Sequence, residues 1–435
     1  MSTTRDPPLR ALSARLSESE RWPLDRLRSS QLRQLRVLAE HAVRHCAHYR
    51  ETLGLDVASA ARLDWQDWRS LPVLPRVVVQ EQRERLVAAT LPAKHGAVRW
   101  QYTTGSTGRP LRVASSDFLQ FVYGALTFRD HRWHGRDPLG RLALVRAGAR
   151  EGDFDTWGTP VAELHGTGPA RVLDVRRPVD EQLARLREFD PHYLLTYATN
   201  AHALARRALE LGVALSSLRE VRVFGELPRP DLAQLCGEAF GALVSDVYSA
   251  EETGPMAAQC SEEGCYHVHA EAVLLEVLDE SGCDCAPGEL GRVVVTPMHN
   301  LAMPLLRYEI GDYAVQGEAC ACGRSLPVLA RIAGRRRNML ELPDGSSHWP
   351  SFPATVWLPY PCIRKVQLAQ TALDSIEVRV EATRDLDTAE RERLFETLGE
   401  RLGWPLRFTL RRFDRIGRDE DYKFEDFVSL LDRAG

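Results

Sequence analysis

The chain has 435 residues, 44% of them hydrophobic and 27% charged, which is the balance of a soluble globular protein with room for two or three domains. Its formal net charge of -4 excludes the strongly basic character of nucleic-acid-binding or acidic-membrane-binding proteins, and basic residues alternate with acids in stretches such as Glu390-Arg391-Glu392-Arg393. No apolar run approaches a membrane span and the charged amino-terminal stretch holds no signal-like segment, so no membrane or nucleic-acid partner and a cytoplasmic location are expected.

In chain order, residues Leu27 to Leu53 are expected to form an amphipathic helix with Leu35, Leu38, Ala42 and Cys46 on one face. Leu71-Pro72-Val73-Leu74-Pro75 is a proline-punctuated loop. Short apolar runs at Leu142–Val145, Tyr193–Leu195 and Val221–Phe224 are expected as strands. Helices are expected at Asp180–Glu188 and Ala201–Leu211, and such alternation predicts an α/β architecture with mixed or parallel sheets flanked by helices. From Val273 to Tyr313 the pattern turns to strand and turn, with Val273–Leu278 and Val293–Thr296 flanking Pro287-Gly288, which predicts an antiparallel, barrel-like β piece. A boundary is expected near Gly334-Arg335-Arg336-Arg337-Asn338, separating a large amino-terminal domain (1–334) from a small carboxy-terminal α+β domain (335–435). The latter should contain strands Ser375–Val380 and Arg407–Leu410 and helices Thr388–Leu402 and Phe424–Leu431.

Three local patterns carry chemistry. In Tyr102-Thr103-Thr104-Gly105-Ser106-Thr107-Gly108-Arg109-Pro110, hydroxyls interleave with glycines, so backbone N–H groups and side-chain donors can wrap a polyphosphate; a plain surface loop has the same composition. It is not the Walker pattern, which needs a lysine followed by Ser/Thr. Asp246-Val247-Tyr248-Ser249-Ala250-Glu251-Glu252-Thr253-Gly254 places a ring that can stack on a base beside carboxylates that can hold magnesium. In Arg307-Tyr308-Glu309-Ile310-Gly311-Asp312-Tyr313, an aspartate at a strand end can accept ribose hydroxyls, or be an ordinary turn residue.

Nine cysteines are present, six of them in close pairs between Cys260 and Cys322. In a chain expected to be cytoplasmic this favours metal ligation over disulfides. Cys260, His267, Cys320 and Cys322 are the expected ligands of a closed, structural zinc site, with Cys265 or His269 as substitutes and reduced, metal-free thiols as the alternative. Cys283-Asp284-Cys285 has no histidine close by and is assigned no role. Of 56 basic residues only Lys94, Lys365 and Lys423 are lysine, so each lysine is a better candidate for chemistry that arginine does not perform.

In this order and spacing the three patterns resemble the adenylate-forming superfamily, and most closely its phenylacetate–CoA ligase and capsule-biosynthesis branch. Phe224-Gly225-Glu226-Leu227-Pro228, His299-Asn300-Leu301-Ala302-Met303-Pro304-Leu305, Cys320-Ala321-Cys322-Gly323-Arg324 and Gly334-Arg335 fit that branch as well. The resemblance extends from about residue 70 to the end.

It implies an AMP-forming acid–thiol ligase that uses ATP and Mg2+. Thr103, Thr104, Gly105, Ser106, Thr107 and Gly108 would hold the phosphates; Gly225, Glu226, Tyr248 and Ser249 would line the adenine pocket. Glu252 would bind magnesium, Asp312 the ribose with Arg335 nearby, and Lys423 would bridge the substrate carboxylate and the α-phosphate. The acid pocket would be built from the Asp117–Thr127 region, Tyr193–Tyr197 and the residues before Tyr248, with Phe118, Phe121, Tyr123 and Tyr197 as candidate lining or plain core.

The acceptor implied is CoA. Two features depart from the pattern: Arg109 replaces a common lysine, and Arg336, Arg337 and Asn338 follow the Gly-Arg pair where relatives carry aspartates. The second leaves open an amide- or carrier-protein ligase with a non-CoA acceptor. A catalytically silent nucleotide-binding homologue is the third reading, opposed by the joint presence of Glu252, Asp312 and Lys423. A homodimer is compatible with this branch.

Overall fold

A computed structural model describes residues 8–102, 111–164, 166–335, 338–348, 350, 352, 356–357, 359–414, 416 and 425–431. The helix Leu24–His45 buries Leu27, Gln31, Leu35, Leu38 and Ala42, the three- and four-residue spacing of one helical face. The expected single helix to Leu53 is in fact two. Cys46 adopts an extended conformation (φ -112, ψ 124), and a short helix Ala47–Thr52 follows. The break turns Tyr49 into the core, where its hydroxyl donates to Pro304 O at 2.8 Å and accepts from Leu306 N at 3.0 Å. A buried phenol needs such partners, and an uninterrupted helix propensity yields to them.

A hairpin, β1 (Val98–Tyr102) and β2 (Arg112–Ser116), precedes the main sheet and pairs Tyr102 with Arg112. The main sheet takes in β3 (Leu142–Val145), β4 (Gly152–Phe154), β5 (Ala170–Leu173), β6 (Tyr193–Thr196), β7 (Glu220–Phe224) and β8 (Leu243–Ala250). It continues through β9 (Gly254–Gln259), β10 (Tyr266–Val268), β11 (Val273–Leu278), β12 (Leu290–Pro297), β13 (Tyr308–Gln316) and β14 (Val328–Arg335). The twelve strands are ordered β11-β12-β13-β14-β10-β9-β8-β7-β6-β3-β5-β4.

From β8 to β5 the pairs are parallel, and the helices Val179–Phe189, Ala198–Leu211 and Leu232–Phe240 pack on them through Leu183, Leu186, Leu204 and Leu232. From β8 to β11 every pair is antiparallel. This second half curls, as a barrel-like piece should. β8 and β13 are four strands apart in the hydrogen-bonding order, about 19 Å in a flat sheet. Yet Tyr248 on β8 touches Asp312 on β13, with oxygen to oxygen 2.8 Å. Only strong curvature brings those strands face to face.

After the two-stranded ribbon of β15 (Leu340–Glu341) and β16 (Ser347–His348), the carboxy-terminal part has a four-stranded sheet in the order β19-β18-β17-β20. These are β17 (Ile363–Ala372), β18 (Ser375–Ala382), β19 (Arg407–Arg412) and β20 (Phe427–Ser429). One helix, Thr388–Leu402, packs on it through Leu394 and Leu398. Asp387 and Glu390 close a reciprocal capping box at its start.

Phe424 lies outside the described residues, and the rest of the helix expected at Phe424–Leu431 instead holds strand β20, parallel to β17, with Leu368 N donating to Asp426 O and Leu430 N to Gln370 O, each at 2.8 Å. A vacant sheet edge beside β17 decides a segment, Phe-Val-Ser-Leu-Leu, whose local preference is ambiguous. Among the described residues no helix is long and apolar enough to cross a membrane.

Candidate functional site

The curl of the antiparallel half assembles the site. β8 ends at Ala250, and the turn to β9 carries Glu252. β13 brings Tyr308 and Asp312, and Arg335 at the end of β14 is the register partner of Asp312. The Tyr248 hydroxyl donates to Asp312 Oδ2 at 2.8 Å, and Arg335 Nε lies 3.3 Å from Asp312 Oδ1. Burial pushes the Asp312 carboxyl above its ordinary value, against Arg335 and Tyr248, which favour its charge. The Tyr248 ring is thus anchored at its hydroxyl, leaving its position fixed by the ribose-candidate aspartate.

Glu252 is buried, with 5% of its surface exposed. Its Oε1 accepts from Arg76 Nη1 at 2.7 Å and from the Tyr308 hydroxyl at 3.2 Å. Sequence reading missed Arg76 and gave Tyr308 no role. No residue pattern marks Arg76; only the prolines before it signal a chain held in a fixed path. Tyr308 lies within the Arg-Tyr-Glu-Ile-Gly-Asp run, so its neighbourhood to Asp312 was available.

Gly225 follows β7 with φ +72, and the turn it allows lets Glu226 Oε2 accept from Thr199 N at 2.9 Å and from Thr199 Oγ1 at 2.7 Å. Glu226 therefore caps the helix Ala198–Leu211. Gly225 and Glu226 sit beyond the end of β7, the strand adjacent to β8 with Tyr248 and half-buried Ser249. Ligands of open α/β sheets bind at such carboxyl ends. Thr103 to Gly108 and Lys423 lie outside the described residues, as do Arg336 and Arg337 of the expected hinge.

Of the candidate acid-pocket residues, Tyr123 reaches the site: its hydroxyl donates to Thr253 O at 2.7 Å. Its ring covers Gly254, where an added Cβ would fall 2.0 Å from Tyr123 Cζ. Tyr197 is buried with its ring 4.9 Å from Phe224. Phe118 and Phe121 pack on the core that takes in Leu9 and Leu16 of the first helix, Pro8–Ser19.

The sulfur and imidazole ligands also meet. Cys260, His267, Cys320 and Cys322 offer four ligand atoms within 4.8 Å of one another. Cys260 ends the β9 region, His267 is on β10, and the two remaining cysteines lie in the turn from β13 to β14, the strand that pairs with β10. Cys320 and Cys260 Sγ atoms are 3.8 Å apart, and Cys322 Sγ is 3.2 Å from His267 Nε2. A tetrahedral zinc with bonds of about 2.3 Å separates its sulfurs by about 3.8 Å, so the donor set fits. Burial lowers the His267 pKa to about 4, which keeps the imidazole neutral and able to ligate. Cys265 stands beside Cys320 outside this set, and His269 instead packs its ring 5.9 Å from Trp133.

No protein-family model matches the chain. It is 27% identical to a phenylacetate-coenzyme A ligase of Thermus thermophilus over 393 residues, 84% of each chain. It is 24% identical to a phenylacetate-coenzyme A ligase of Escherichia coli over 360 residues, 78% of each. Among solved structures, 2-hydroxyisobutyryl-CoA ligase in the postadenylation state superposes with a TM-score of 0.75 at 18% identity, covering 99% of this chain and 94% of that one.

Proposed function

We propose that this chain, a homologue of the phenylacetate–CoA ligases with the fold of an acyl-CoA ligase, activates a small carboxylic acid with ATP and passes the acyl group to CoA. The observation that carries this reading is the joint Tyr248–Asp312–Arg335 and Glu252–Arg76–Tyr308 cluster at the carboxyl end of β8.

In this reading Asp312 accepts the ribose hydroxyls and the Tyr248 ring flanks the adenine beside Gly225, Glu226 and Ser249. Thr103 to Gly108 wrap the phosphates. A carboxylate oxygen of the acid attacks the α-phosphorus. The bond to the bridging oxygen breaks, and its electron pair leaves with pyrophosphate. Lys423 sits between the acid's carboxylate and the α-phosphate and neutralises charge as it builds. Glu252 would hold magnesium, which supplies further neutralisation of the phosphates. The sulfur of CoA then attacks the acyl carbon and AMP departs.

The domain reading belongs to the same proposal: residues 1–334 bind ATP and acid, and 335–435 form a small mobile domain that delivers Lys423. Cys260, His267, Cys320 and Cys322 would hold a structural zinc that ties β9 and β10 to the turn before β14. Supporting this, their four ligand atoms lie within 4.8 Å of one another, with the Cys260 and Cys320 sulfurs 3.8 Å apart.

The sequence Arg336-Arg337-Asn338 after the Gly-Arg pair favours a second reading, in which an amine or a carrier thiol replaces CoA. Mass spectrometry of reactions containing ATP, an acid panel and either CoA, hydroxylamine or no acceptor separates the two. Acyl-CoA formed together with AMP supports the first. Hydroxamate formed without any acyl-CoA supports the second.

A further inference from the structure

Arg76 occupies the site although no sequence pattern points to it. Its helix, Arg76–Glu81, begins just after Pro75. The chain before it is hydrogen-bonded to the start of β13: Leu74 N donates to Arg307 O at 2.8 Å, and Glu309 N donates to Leu74 O at 3.0 Å. Backbone pairing thus fixes Arg76 relative to Tyr308 and Asp312 on that strand. One nitrogen, Nη1, donates both to Glu252 Oε1 at 2.7 Å and to the Tyr308 hydroxyl at 2.9 Å. Nε is buried and has no hydrogen-bond partner among the described residues. A buried charged donor without an acceptor is unfavourable, so the cluster as it stands is one acceptor short.

The charges make the same point. Arg335 faces Asp312 and Glu425, whereas the charge of Arg76 is balanced by Glu252. Burial opposes the Arg76 charge, but Tyr308 and Glu252 outweigh it and hold the guanidinium protonated. If Glu252 turns to a magnesium ion, Arg76 loses its counter-ion in a place where only 19% of its side chain is exposed. An arriving polyphosphate brings oxygens that match both deficits, since a guanidinium fork pairs well with phosphate.

We propose that Arg76 is a polyphosphate-binding residue: it gives up Glu252 to the metal, takes oxygens of the β- and γ-phosphates, and holds pyrophosphate as the α-phosphorus–oxygen bond breaks. The proposal rests on the nucleotide-site reading above. Arg76 is then charge-paired in both states, to a carboxylate before binding and to phosphate after it.

The test is calorimetric titration of the full chain with ATP, pyrophosphate and AMP in magnesium-free buffer. It uses Glu252→Gln alone and Glu252→Gln with Arg76→Gln, so that repulsion from an unpaired Glu252 plays no part. The second variant should bind ATP and pyrophosphate at least about tenfold more weakly than the first, with AMP changed by less than about twofold. Equal ATP affinity in the two would overturn the proposal and leave Arg76 as a counter-ion only. An AMP loss as large as the ATP loss would overturn it too, in favour of a structural role. If Arg76→Gln does not fold by thermal melting, Arg76→Lys in the Glu252→Gln background carries the test. A loss selective for ATP supports the proposal and unchanged ATP affinity contradicts it. Wild-type protein that binds neither ATP nor AMP would remove the nucleotide-site reading itself, and this proposal with it.

Discussion

Asp246 shows how one residue on the site's own strand sets a pH dependence. It lies on β8 two residues before Tyr248, accepts from the Tyr266 hydroxyl at 2.8 Å, and is 5% exposed. Burial raises its pKa to about 7. A carboxyl whose folded-state pKa exceeds its unfolded value holds more protons when folded, so stability falls as pH rises between about 4 and 7. Asp246→Asn keeps an acceptor for Tyr266 and removes that titration. The variant should melt higher than wild type at pH 8, with the gap closing as pH is lowered toward 5. A second residue-scale expectation concerns Asp312→Asn, which should weaken ATP and AMP alike by about tenfold or more, read by equilibrium binding. At this scale the sequence was informative where chemistry needs a particular residue type: Tyr248, Glu252, Asp312 and the Cys/His set could be named beforehand. Arg76 could not, because its position depends on Leu74 pairing with a strand more than two hundred residues away in sequence. Nor could the Tyr248–Asp312 contact, which depends on sheet curvature that no local pattern encodes.

Elements were legible when their own ends and faces specified them. Thr388–Leu402 has a capping box at one end and Gly403 at φ +70 at the other, and its expected span is the observed one. Phe424–Leu431 lacks such signals, and the open edge of β17 turned its centre into a strand. The Leu27–Leu53 helix was misread at Cys46 because the demand for the break comes from Pro304 and Leu306, far along the chain. Connections between elements are held by buried charge. Arg307, itself at φ +49, pairs with Glu276 at 3.0 Å and donates to Arg69 O and Leu71 O, clamping the proline loop to β11 and β13. Glu276→Gln should cost about 3–5 kcal/mol in urea unfolding, since it leaves a buried guanidinium without its counter-ion. With the proposed zinc in place, the cysteine turn would be a second clamp. Cys322→Ser, or exhaustive chelation, should lower the melting temperature by several degrees and release close to one equivalent of zinc, measured by atomic emission.

At the scale of the whole molecule, Arg229 links the carboxy-terminal part to the large one. Arg229, beside the helix Leu232–Phe240, reaches Asp426 Oδ2 at 3.1 Å and Phe352 O at 2.7 Å. Asp426 immediately precedes β20, and burial raises its pKa against the pull of Arg229. Since β20 is the edge strand beside β17, this ion pair ties that edge to the stretch before the helix Leu232–Phe240. Arg229→Ala should speed tryptic cutting near Arg335–Arg337 severalfold while leaving the melting of the larger part unchanged. Fold class was readable from the alternation of strands and helices. The joining of parallel and antiparallel halves into one sheet of twelve was not, because edge-to-edge pairing is a long-range choice.

The most direct measurement is acid-dependent exchange of labelled pyrophosphate into ATP, across a panel of carboxylic acids, with Lys423→Ala beside the wild type. Exchange that requires an acid, and that falls by at least about a hundredfold in the variant, is the expected result. Saturable ATP binding with no exchange for any acid, or exchange that persists unchanged in Lys423→Ala, would contradict carboxylate activation by this site.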